Sequence, residues 1–121
     1  FACGHLVWKA IEAGKILEDQ GIRVELINIH TIKPLDTDAI LSSVKKTKCA
    51  VTCEEHNIWG GLGDSIAHVT ATNFPLPIEY IGTKDTFGES GKPEELLEKY
   101  GLDVADIVQA AQKAMSRKAK V

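Results

Sequence analysis

Apolar positions along this chain change their spacing several times, and each change marks an element. From His5 to Gln20, the residues Val7, Ala10, Ile11, Gly14 and Leu17 share one helical stripe, and Gly21 follows where a helix end takes positive φ. Ile22 to His30 begins with Ile22, Val24 and Leu26 alternating with Arg23 and Glu25, then adds Ile27 and Ile29, which predicts a strand buried more deeply toward its end. Thr31-Ile32-Lys33-Pro34 is a connection, because Pro34 disfavours helix at the residue before it. Asp36 then caps a helix running to about Lys46, with Leu35 and Ile40 spaced to clasp across the cap. Cys49 to Cys53 reads as a short buried strand, and Leu62 to about Thr72 as a helix with Leu62, Ile66, Val69 and Thr70 on its apolar face.

Pro75-Leu76-Pro77 introduces a strand over Ile78 to Ile81. Pro93 opens a short helix that ends near Lys99 and is closed by Gly101. Asp103 caps a last helix carrying Val104, Ile107, Val108, Ala111, Ala114 and Met115 at helical spacing. Strands alternating with helices place the chain in the α/β class, with a mostly parallel sheet covered on both faces. Only Phe1-Ala2-Cys3 precede Gly4, against ~5–6 residues in an ordinary strand. The first strand is therefore expected to be truncated, and the chain to be an excerpt of a longer one.

With 121 residues, 44% of them hydrophobic, the chain has the size and apolar content of a single domain spanning 1–121. A formal charge of -3 gives no long-range attraction to a polyanion, and the one basic cluster, Arg117, Lys118 and Lys120, looks like a frayed tail. No nucleic acid partner is expected. No apolar run approaches the ~20 residues that span a bilayer, and FACGHLVWKA lacks the pattern of a signal peptide, so no membrane partner and a cytoplasmic setting are expected. Cys49 and Cys53 would stand about 13 Å apart in an extended chain, too far for a disulfide between them. They read as small buried hydrophobes.

The stretch Glu54-Glu55-His56-Asn57-Ile58-Trp59-Gly60-Gly61-Leu62-Gly63-Asp64-Ser65 concentrates the candidate chemistry. Gly61-Leu62-Gly63 begins like a dinucleotide fingerprint, but Ile66 stands where the third glycine belongs. What remains is a glycine-rich helix start, able to receive an anion or to let the helix approach the sheet. Gly88-Glu89-Ser90-Gly91-Lys92-Pro93 imitates a phosphate loop, yet Thr86 replaces its first glycine and Pro93 its metal-binding hydroxyl. His5, His30 and His68 are scattered, so no metal site is expected, and neither a nucleophile turn nor a cysteine beside a histidine is present. Trp59, an aromatic in a polar loop, marks either a folded-back core contact or an interface. No catalytic, cofactor-binding or metal residue is assigned. The candidate interface or anion-binding residues are Glu55, His56, Trp59, Gly60 and Gly61, with the strand expected to end at Cys53 and the acids to form a loop.

Three ordered blocks now carry a resemblance. Thr31-Ile32-Lys33-Pro34-Leu35-Asp36, then Val51-Thr52-Cys53-Glu54-Glu55-His56 followed by Gly60-Gly61-Leu62-Gly63, then Ser90-Gly91-Lys92-Pro93-Glu94-Glu95-Leu96-Leu97 with Tyr100-Gly101, are similar to the C-terminal domain of transketolase over nearly the whole chain. The resemblance implies a three-layer α/β/α domain with a five-stranded, mostly parallel mixed sheet in which one strand is antiparallel. It implies a parent transferase that moves a two-carbon ketol unit between sugar phosphates, in carbohydrate metabolism through the pentose phosphate pathway. Thiamine diphosphate and Mg2+ (or Ca2+) would be held by other domains, because the family's Gly-Asp-Gly cofactor motif is missing from this chain. The fragment alone is then expected to be inactive. Its partners would be the other transketolase domains or an N-terminal subunit, within a homodimer. Deoxyxylulose phosphate synthase and the beta subunit of 2-oxo acid dehydrogenases carry related domains, where the role would be subunit association.

Overall fold

The computed structural model describes residues 1–30, 34–83 and 101–118, with the side chains of residues 56 and 57 outside that description. Leu6, Ala10, Ala13 and Leu17 are all buried and form the inner face of the first helix, α1, Leu6–Asp19. The stripe is rotated from the one predicted, with Val7 only partly buried at its margin. Gly21, at φ +82, turns the chain back toward the sheet.

The second helix, α2, spans Thr37–Thr47 and begins as its sequence demands. Asp36 accepts the Ala39 N–H at 3.1 Å, and Leu35 and Ile40 meet in one apolar cluster across that cap. Its end was not readable in advance, since Lys48 takes the left-handed conformation at φ 61 without being glycine. The remaining elements are β1, Ala50–Asn57; α3, Leu62–Asn73; β2, Ile78–Thr83; and α4, Val104–Lys118. The short helix expected over 93–99, the connection at 31–33 and the Ser90-Gly91-Lys92-Pro93 block lie outside the described residues.

β1 and β2 pair in parallel, Ala50 opposite Ile78 through to Cys53 opposite Ile81. Ala2 forms parallel bridges to both Asn28 and Cys53. Its N–H donates to the Ile27 carbonyl at 3.0 Å and its carbonyl accepts from Ile29 at 2.9 Å, while Cys53 donates to the Phe1 carbonyl at 2.8 Å. The order across the sheet is therefore the segment around Asn28, the segment around Ala2, β1, then β2. Every pairing among the described residues is parallel, and the antiparallel fifth strand implied by the resemblance has no counterpart among them.

The strand foreseen over Ile22 to His30 joins the sheet only near its end. Upstream, Glu25 turns instead to α2, accepting from Ser43 Oγ and Lys46 Nζ at 2.6 Å each. Of the basic tail expected to fray, Arg117 and Lys118 are likewise tied down, and Lys120 lies outside the described residues. Arg117 donates to the Ile78 carbonyl and pairs with Glu79, and Lys118 donates to the Thr47 carbonyl at 3.1 Å.

Two apolar clusters flank the sheet. Leu6, Leu17, Cys53, Ile81, Ile107 and Val108 join α1 and α4 to one face, whereas Ile29, Ile40, Ala50, Leu62, Ile66 and Ile78 join α2 and α3 to the other. Helices on both faces give the three-layer arrangement. Ile66 is fully buried at the centre of the second cluster. Ile66→Ala is expected to destabilise the fold by about 2–5 kcal/mol, read as a lowered midpoint of urea unfolding.

Candidate functional site

Alternation along β1 separates two neighbouring acids. The strand continues through Glu54, Glu55 and His56 to Asn57, so the loop expected after Cys53 is in fact strand. The ladder slips there, because Cys53 faces Ile81 while Asn57 faces Thr83, leaving a bulge on β1. A polar, acidic end was misread as loop because its backbone bonds go to β2, which side-chain polarity does not report.

Glu54 points toward α3 and is 1% exposed. Its two oxygens accept separate N–H groups, Leu62 and Gly63, each at 2.7 Å. Those are orphan donors of the first turn of α3, whose N-cap residue, Gly61, supplies no side chain. A strand side chain thus caps the helix that follows it, with the acid at the positive end of the helix dipole. Asp64 reaches back to the Gly60 N–H at 2.6 Å, and Ser65 Oγ donates to the Gly61 carbonyl at 3.2 Å. Gly60 sits at φ +83, which explains the glycine at that turn.

Gly63 is needed for a different reason. A Cβ there would lie 2.6 Å from Tyr80 Cδ1 and 3.0 Å from Thr52 Oγ1. Thr52 Oγ1 is itself buried with no hydrogen-bond partner among the described residues, so no slack remains for a methyl group. Burial, reinforced by the Asp64 charge, raises the Tyr80 hydroxyl above its ordinary range. Burial also pushes the Cys53 thiol up to about 11 and raises Cys3 and Cys49, and all three cysteines are free. None is poised as a nucleophile.

Of the residues picked from sequence, Trp59, Gly60 and Gly61 gather at the start of α3, and Trp59 is 66% exposed. Glu55 is exposed on the opposite side of β1 and lines a cleft of about 540 Å³ with Cys3, Gly4 and Trp8. His56 contributes its backbone to β1. Sequence reasoning missed Glu54 as the cap, and it missed Trp8, Asn28 and His30 on the cleft. The signal for Glu54 was its place before a helix start that carries glycine where a capping side chain belongs.

These observations define a parallel α/β domain in which, among the described residues, the Glu54 cap ties a strand to the helix that follows it. The profile of the family described as transketolase, C-terminal domain, matches residues 1–107, and the chain belongs to that family. It is 42% identical over 117 residues to a 6-deoxy-6-sulfo-D-fructose transketolase subunit of Clostridium sp. (strain MSTE9), covering 97% of this chain and 36% of that protein. A putative transketolase C-terminal section of Methanocaldococcus jannaschii is 42% identical over 118 residues, covering 96% and 36%. A solved chain titled as a split-gene transketolase, inactive beta4 tetramer, superposes with a TM-score of 0.93 at 43% identity, covering 97% of this chain and 38% of that one. More distant is a 1-deoxy-D-xylulose-5-phosphate synthase of Caldanaerobacter subterraneus, 37% identical over 119 residues, covering 95% of this chain and 19% of that protein. The chain spans about a third of the transketolase relatives it matches.

The two acids should behave oppositely on truncation. Glu54→Ala leaves two buried N–H groups without their acceptor and is expected to destabilise by about 3 kcal/mol, whereas Glu55→Ala should stay within ~0.5 kcal/mol in the same urea titration. Gly63→Ala is expected to lose about 1–3 kcal/mol by overpacking against Tyr80 and Thr52, with a lowered melting temperature as the readout.

Proposed function

We propose that the chain is the C-terminal domain of a thiamine diphosphate-dependent transketolase that transfers a two-carbon ketol unit between sugar phosphates, and that it serves assembly while the chemistry resides elsewhere in the protein. The observation that carries the second half of this reading is the Glu54 cap. Among the described residues, the glycine-rich helix start is the place where a diphosphate could be cradled, and the N–H groups of Leu62 and Gly63 are already taken by a buried carboxylate. A diphosphate does not fit there. Thiamine diphosphate and its Mg2+ (or Ca2+) are assigned to the remainder of the parent protein.

Trp59, Gly60 and Gly61 form the proposed contact with the other transketolase domains or with a separate N-terminal subunit, in a homodimeric enzyme; Glu55, on the other side of β1, stands apart from them. An exposed tryptophan on a rigid turn is the kind of residue that anchors such contacts. The alternative use of this turn, anion binding, is disfavoured by the Asp64 carboxylate on the Gly60 N–H. A cytoplasmic enzyme of the pentose phosphate pathway fits this reading. No helix among the described residues is long and apolar enough to cross a membrane. The relatives named for 6-deoxy-6-sulfo-D-fructose and, in an apulose-4-phosphate transketolase subunit of Phocaeicola vulgatus, for apulose 4-phosphate widen the donors to be tried to a sulfosugar and a further sugar phosphate.

The test uses the full-length protein with Mg2+, thiamine diphosphate, a ketose phosphate donor and an aldose phosphate acceptor, with two-carbon transfer read by mass spectrometry. Transfer is expected from the full-length protein and none from residues 1–121 alone; turnover by the isolated domain would overturn the reading. Trp59→Ala should weaken subunit association about tenfold or more, read by sedimentation at falling concentration.

The second reading is the related domain of a deoxyxylulose phosphate synthase or of a 2-oxo acid dehydrogenase beta subunit, acting as a subunit-association module. Its synthase form is favoured by the likeness to deoxyxylulose phosphate synthases, 37% identical in the case of Caldanaerobacter subterraneus. A full-length protein that assembles yet moves no ketol unit would bring it forward.

A further inference from the structure

The cleft on the α1 side of β1 is not accounted for by an assembly role. It lies at the carboxyl ends of adjacent parallel segments, where the chain leaves the Ala2 segment for α1 and the Asn28 segment lies on the opposite side from β1. That is a topological switch point, the place in open parallel sheets where ligands collect. At about 540 Å³ the cleft has the size of a small-molecule site.

Its lining is chemically one-sided. Trp8, 73% exposed, presents a large aromatic surface at the rim, and Asn28, His30 and Glu55 supply the polar groups. No lysine or arginine lines the cleft among the described residues. Glu55 has no ion-pair partner among those residues. Glu55 is the one carboxylate among the described lining residues. Burial first, then the charges of Glu54 and Glu55, raise the Cys3 thiol at the cleft wall, against the opposing charge of the N-terminal ammonium. An aromatic face beside an unpaired carboxylate attracts a cation through both the ring quadrupole and the charge, and it repels phosphate.

We propose that this cleft binds a small organic cation, a guanidinium or ammonium compound, stacked on Trp8 and paired with Glu55, with the Asn28 amide oxygen accepting a further hydrogen bond. This goes beyond the assembly role, and it assigns Glu55 to a ligand instead of a neighbouring domain. A domain seated on Glu55 would close the cleft, so the two uses of that residue separate experimentally.

The experiment labels the full-length protein with 5-fluorotryptophan, assigns the Trp8 fluorine signal with Trp8→Phe, and titrates agmatine. A saturable shift of the Trp8 signal is expected, half-complete on the order of 1 mM, with the Trp59 signal unmoved. Glu55→Gln, at an exposed position, should weaken the response about tenfold. No shift by ~50 mM agmatine, an undiminished response in Glu55→Gln, or an equal shift with inorganic phosphate would each overturn the proposal. None of these results bears on subunit mass, so the assembly reading stands or falls by the sedimentation measurement.

Discussion

A buried carboxylate joined to the start of a helix organises this domain. Glu54 leaves β1 on the α3 side and takes both Leu62 and Gly63 N–H groups, so strand, turn and helix are fixed by one side chain. The arrangement works only because a glycine-rich turn brings α3 close to the sheet. Gly63 lets the helix backbone lie against Tyr80 and Thr52, and that approach puts the N–H groups within reach of a short acidic side chain. The same geometry seals the acid from water. Desolvation of the carboxylate is offset by two charge-assisted hydrogen bonds and by the favourable end of the helix dipole.

Strand alternation then gives the two acids different lives. Glu54 faces inward and holds the scaffold, and Glu55, one residue on, faces the cleft and remains open. The carboxyl edge of the sheet therefore has a rigid half at the α3 start and a receptive half beside α1. Trp59 stands on the first and Trp8 on the second, and both are exposed. One edge of the sheet thus presents two different exposed surfaces.

Much of the architecture was legible in the sequence because local signals and global packing agree. Asp36 capped α2 as its position demanded, and the apolar faces of α3 and α4 pointed where their spacing placed them. Disagreement arose where long-range pairing decided the outcome. The Glu54 to Asn57 segment is strand because β2 offers it hydrogen-bond partners, and Glu25 leaves the sheet because Ser43 and Lys46 of α2 capture it. Of the candidate site, the turn at Trp59 to Gly61 was visible as a glycine cluster, but the cap was not. Two adjacent glutamates look alike in a sequence, and only the pleat reveals that one is structural. The cleft was invisible for a similar reason, since Trp8, Asn28 and Glu55 come from three separate segments.

The bridges of Ala2 have a kinetic consequence. Its neighbours across the sheet are Asn28 and Cys53, so the interior of the sheet closes only after long stretches of chain have been drawn together. The helices, by contrast, need partners only a few residues away and form on far shorter timescales. Loop closure before reward makes such pairings late and slow events. The Ala2–Asn28 and β1–β2 pairings close similar lengths of chain, whereas the Ala2–Cys53 pairing closes roughly twice as much, so the two halves of the sheet form ahead of the seam between them, and until it closes that edge of β1 stays open to any other strand that meets it.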